Sequence, residues 1–172
     1  MTGAAVPPWA LTLAFWLHMA ATIVWIGGLF FQAVVLTPVL SKTTAPELWQ
    51  PLLRQFRQRF QPLAWMSLAL LVATGLVQME ASPFYQGFLV ISNRWAEAIL
   101  AKHVVILLMI GAAVYQTWFV QPELERAYLL GAHTGTSRSE PSRLQSRLAS
   151  LTRLNLVLGL AVLALTALAR TA

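Results

Sequence analysis

The chain has no cysteine, so it can form neither disulfides nor thiolate metal sites. Charge is also scarce: only 10% of its 172 residues are Asp, Glu, Lys or Arg, against the roughly 25% of an ordinary soluble domain. A signal peptide would open with basic residues, but residues 1–8 carry no Lys or Arg and the apolar run that follows approaches thirty residues. The first helix is therefore expected to be retained. What remains is apolar: 58% of the residues are hydrophobic. Four stretches, 9–38, 62–80, 94–120 and 149–169, are long enough to cross a hydrocarbon core of about 30 Å. The chain is expected to be one integral membrane domain over residues 1–172, an all-α, up-and-down bundle of four transmembrane helices.

The net charge of +6 sits at the connections. Lys42, Arg54, Arg57 and Arg59 flank the first, and Arg126, Arg138, Arg143 and Arg147 lie in the third, whereas the second holds only Arg94 and the C-terminal end only Arg170. By the positive-inside rule the first and third connections face the cytoplasm and both termini face outward, as in a bacterial inner membrane. This distribution makes the lipid bilayer, not nucleic acid, the partner of the basic residues.

Within the first connection, Thr44-Ala-Pro-Glu47 has the form of a helix start, and Trp49, Leu52, Leu53, Phe56 and Phe60 recur at helical spacing. Residues 45–61 are expected to form an amphipathic helix in the inner headgroup layer, with Pro62 turning the chain into helix 2. The second connection, Ala81 to Asn93, is apolar and suits an outer lid or a plain interfacial loop. Gly131 to Arg138 has a loop composition and carries His133 as a solvated residue; Ser139-Glu-Pro starts the next helix.

Two histidines lie at matching depth. His18 follows Trp9 by nine residues and His103 follows Arg94 by nine, so each imidazole falls about 14 Å below the same face at 1.5 Å rise per residue. Ionisable side chains at that depth are costly and normally have a partner or a task. Counting depth on helices 2 and 4 brings Ala73 and Gly75, and Gly159 and Ala161, near the histidine level; small residues there serve close helix packing or give clearance to a flat macrocycle. Histidine nitrogens are common axial ligands of heme iron, so His18 and His103 are expected to hold a heme b between helices 1 and 3. Trp25 shares the His18 face at i+7, and Lys102 or Arg94 would neutralise the propionates. A salt bridge of Lys102 to Glu80 or Glu97 is the structural alternative. Such a site moves electrons, with a quinone or a membrane redox protein as partner. Thr22, at i+4 from His18, is expected to bond its own helix carbonyl.

Copper is the alternative ligand. Met19, Met66, Met79 and Met109 are soft donors, but no Met-x-x-x-Met ladder crosses the membrane and core packing explains them as well. A third expectation is an accessory subunit of a larger membrane complex or an oligomer, docked through the amphipathic helix.

The string Leu17-His18 through Trp25-Ile26-Gly27-Gly28-Leu29, the Arg59-Phe60 pair, Thr74-Gly75 and Lys102 together resemble the CopD-type membrane domain, a family associated with copper resistance and uptake. The related HemJ-type protoporphyrinogen oxidases are similar in the His and Trp-x-x-Gly-Leu-Phe pattern of helix 1 and the Lys of helix 3. The resemblance implies functional roles for His18 and Lys102, a heme, and an oxidoreductase of that type. Two features depart from the oxidases: helix 1 ends in Gln32-Ala-Val-Val-Leu-Thr-Pro38 where they carry a more polar, His-bearing ending, and His103 is an addition.

Overall fold

The computed structural model describes residues 6–43, 46–87, 94–134 and 139–171, all helix or short turn with no strand among them. The helices are α1 (Pro8–Phe30), α2 (Thr37–Thr43), α3 (Pro46–Glu80), α4 (Arg94–Tyr115), α5 (Gln121–Thr134) and α6 (Ser139–Thr171). A π-helical segment, Phe31–Leu36, joins α1 to α2, and another, Gln116–Val120, joins α4 to α5. Four continuous spans result, Pro8–Lys42, Pro51–Glu80, Arg94–Tyr128 and Pro141–Arg170. Each contains the stretch expected from hydropathy and extends beyond it at the end nearest the first or third connection. The protein is an integral membrane protein, and its outward residues fit that solvent: Trp16 is 62% exposed, Ile23 72% and Leu107 68%.

Proline explains the π segments. Pro38 and Pro122 lack an N–H, and their rings crowd the carbonyl four residues back. Widening the preceding turn relieves that crowding. The residue before each proline bonds five residues back, Thr37 N–H to the Gln32 carbonyl and Gln121 N–H to the Gln116 carbonyl. The Thr37 hydroxyl donates to the same Gln32 oxygen at 2.7 Å.

The chain divides into two compact units, residues 1–97 and 98–171. In the first, α1 packs along α3. Its buried face carries Ala14, Ala21, Trp25, Leu29 and Gln32. The expected helix at 45–61 is present from Pro46, but it is the first half of α3 and runs through Pro51 and Pro62 without a break. Its apolar stripe explains why it does not form a separate surface helix. Leu53 is buried, and the Phe56 ring lies 5.7 Å from Phe31 and 5.5 Å from Phe60. Phe60 in turn covers Gly28. These rings are spent on α1, so they are not presented to the headgroup layer as one apolar face.

In the second unit, α5 and the π segment before it pack on α6. Val120, Leu124, Leu144 and Leu148 form the core there, flanked by Ala127, Tyr128 and Leu151, and Gln145 donates its amide N–H to the Tyr128 hydroxyl. Residues 131–134, expected as loop, extend α5, while α6 starts at Ser139 as expected. The His133 side chain lies outside the described residues. So do residues 88–93 of the expected lid; the part described, 81–87, is a turn ending in Gly87 at φ 130°, with Phe84 6.4 Å from Trp95.

Gly28 is the tightest point of the α1–α3 contact. A Cβ there would stand 1.9 Å from Phe60 Cζ, whereas one at Gly27 would meet nothing within 4 Å. Gly28→Ala should therefore cost about 1–3 kcal/mol by overpacking and lower the thermal midpoint in detergent, with Gly27→Ala neutral or slightly stabilising. Equal midpoints for the two variants would contradict this packing.

Candidate metal centre

His18 projects from α1 toward α3, where its ring rests on Gly75: a Cβ on that glycine would lie 3.6 Å from His18 Cε1. The depth count that placed Gly75 near the histidine therefore holds. Beside it, His18 Nδ1 lies 2.8 Å from Thr74 Oγ1. The direction of that bond follows from the threonine. Its single hydroxyl proton goes to the Leu70 carbonyl at 2.5 Å, so its oxygen must accept from the imidazole. His18 is thus the Nδ1–H tautomer, and in the neutral ring Nε2 keeps the lone pair. Thr22 donates to the His18 carbonyl at 2.8 Å and plays no part in orienting the ring, as expected. One turn further toward Glu80, Gln78 donates to the Ala14 carbonyl at 3.3 Å and ties α3 to α1 again.

Trp25, two turns along the same face of α1, is 4% exposed, and its indole N–H has no hydrogen-bond partner among the described residues. A buried indole nitrogen usually finds one. In the second unit, His103 is half-buried and its Nδ1 lies 2.7 Å from the Ile99 carbonyl oxygen. A carbonyl only accepts, so His103 has the same tautomer, fixed by its own helix. Lys102 is half-buried; Arg94, Glu80 and Glu97 are exposed.

Met19 and Met66 are 59% and 57% exposed, which removes them from an interior ligand set; Met109 is 4% exposed and Met79 half-buried. No group of three or more His, Cys, Asp or Glu side chains is poised to hold a metal among the described residues. Any metal bound here would draw on single imidazoles with softer or backbone donors. Thr74 as the partner of His18 was missed in the sequence, although it lies between the two residues, Ala73 and Gly75, that depth counting had placed at the histidine level.

The family described as copper resistance protein D matches residues 54–169. The chain belongs to the CopD family. The match runs from α3 to α6 and includes Thr74, Arg94, Lys102 and His103, while His18, Trp25 and Gly28 lie before it. No curated protein and no solved structure matches the chain.

The tautomer of His18 gives a direct test of the site. Solution NMR of the 15N-histidine-labelled protein should show His18 protonated at Nδ1, unchanged in Thr74→Ser and redistributed toward Nε2–H in Thr74→Val. An identical spectrum in Thr74→Val would mean that the threonine does not set the tautomer.

Proposed function

We propose that this CopD protein handles copper inside the bilayer, and that His18 Nε2 is a metal ligand held in place by Thr74. The observation that carries the proposal is the chain His18 Nδ1–H to Thr74 Oγ1 to the Leu70 carbonyl. Metal-binding histidines characteristically donate their other ring N–H to a fixed acceptor, which sets the tautomer and raises ligand basicity. Imidazole suits copper, and the copper is cargo in this reading. His103, with Nδ1 turned to Ile99 O, has the same tautomer in the second unit. The charge distribution supports a bacterial inner membrane with both termini outward.

Heme b ligated by His18 and His103 is the second reading. It rests on the two histidines expected as axial ligands from the sequence, since axial ligation also uses an imidazole nitrogen lone pair. Lys102 or Arg94 would then meet the propionates, and electrons would pass to a quinone or a membrane redox protein.

Anaerobic competition of the purified protein with a chromophoric copper(I) chelator, and a pyridine hemochrome assay on the same sample, separate the two readings. The proposal expects copper binding without heme, abolished in His18→Ala and weakened about 10–100-fold in Thr74→Val, the usual cost of losing such an outer partner. Heme at one per chain that is lost in both His18→Ala and His103→Ala would establish the second reading instead. Copper affinity unchanged in His18→Ala would refute the assignment of the ligand.

A further inference from the structure

The two π segments occupy one register in two helices. Gln32 precedes Pro38 by six residues, and Gln116 precedes Pro122 by six. In both, the glutamine carbonyl receives the N–H of the residue before the proline. Counting seven and three residues back from each glutamine reaches buried Trp25 and Leu29 in α1, and buried Met109 and Ala113 in α4. The first long helix of each unit therefore follows one plan over this stretch. In membrane proteins built from repeats, proline-interrupted helices at corresponding positions mark ion sites; here both glutamine carbonyls stay paired, so the donors such a site would use are side-chain oxygens.

What faces the interruption differs between the hairpins. In the first, the ring of Phe56 packs beside the π segment, 5.7 Å from Phe31. In the second, the surroundings are polar. Gln116 donates Nε2–H to Thr152 Oγ1 at 3.3 Å, and Thr152 has spent its own proton on the Leu148 carbonyl at 3.0 Å. Asn155, one turn along α6 from Thr152, is 2% exposed, and its Oδ1 has no hydrogen-bond partner among the described residues. It lies six residues inside the 149–169 apolar stretch, about 9 Å along the helix at 1.5 Å rise per residue, and the Arg153 beside it in sequence is exposed. A buried carbonyl oxygen without a donor is costly in lipid-like surroundings, which makes it an acceptor in want of a positive partner.

We propose that Gln116, Thr152 and Asn155 form a buried site, in the half of the bundle nearest the third connection, for a desolvated monovalent cation such as sodium. The donor chemistry selects that class. Gln Oε1, Thr Oγ1 and Asn Oδ1 are hard, neutral oxygens, which suit an alkali cation and not copper(I). No Asp or Glu occurs in residues 98–122 or 141–171, so nothing nearby offsets the desolvation of a divalent ion. This site is independent of the copper reading, and loss of either leaves the other standing.

The test is thermal unfolding of the full chain in detergent, titrating sodium chloride against choline chloride at constant ionic strength. A saturable rise in Tm is expected in the natural protein and is absent in Asn155→Leu and Thr152→Val, whose helical content in choline is checked by circular dichroism. Should either variant fail to fold, equilibrium dialysis of the natural protein with radioactive sodium decides, with bound label displaced by unlabelled sodium and not by choline. No saturable sodium effect and no displaceable label, or an equal response in Asn155→Leu, would overturn the proposal.

Discussion

Lipid supplies no hydrogen bonds, and that constraint shapes every polar decision in this chain. Thr12, Thr22, Ser67, Thr74, Thr152 and Thr166 each donate to the carbonyl one turn back on their own helix. A hydroxyl committed in this way has only lone pairs left, so it presents an acceptor to whatever stands opposite. At Thr74 the group opposite is His18, and the acceptor fixes which ring nitrogen holds the proton. At Thr152 it is Gln116. One local habit of threonine in a membrane helix thus sets up both polar clusters, and it fixes the imidazole as the Nδ1–H tautomer.

Helix interruption is the second recurring device. Pro38 and Pro122 break the hydrogen-bond ladder where repair from solvent is impossible, and the chain repairs it internally by lengthening the loop of the bond to five residues. Pro62 shows that proline alone does not dictate the outcome, since α3 passes through it unbroken. The packing of Phe56 and Phe60 on α1 holds that helix on course, and the close seat of Phe60 on Gly28 shows how tightly. The same α1–α3 contact positions His18, so the orientation of its ring is supported by the apolar half of the hairpin as well as by Thr74.

Much of this was legible in the residues. Long apolar runs gave the four spans, because length and hydropathy suffice to define a membrane helix. The level of Gly75 against His18 followed from helical rise alone. The motif residues of the CopD resemblance acquire physical meaning in the fold: Gly28 accommodates Phe60, and Thr74-Gly75 receives the imidazole. Periodicity misled at 45–61, since an apolar stripe facing a second helix and one facing a lipid surface have the same spacing. The π segments were not foreseen either; a proline in a helix permits a kink, a break or a widened turn, and the sequence does not distinguish them. The hydroxyl partner of His18 depended on rotation about α3, which depth counting leaves undetermined.

The central claim, that His18 Nε2 is a metal ligand oriented by Thr74, is tested most directly by X-ray absorption at the copper edge of protein loaded with copper(I). Imidazole scattering in the natural protein, lost in His18→Ala and retained in Thr74→Ser, is the predicted result. A copper shell of sulfur alone, or a spectrum indifferent to His18→Ala, would contradict it.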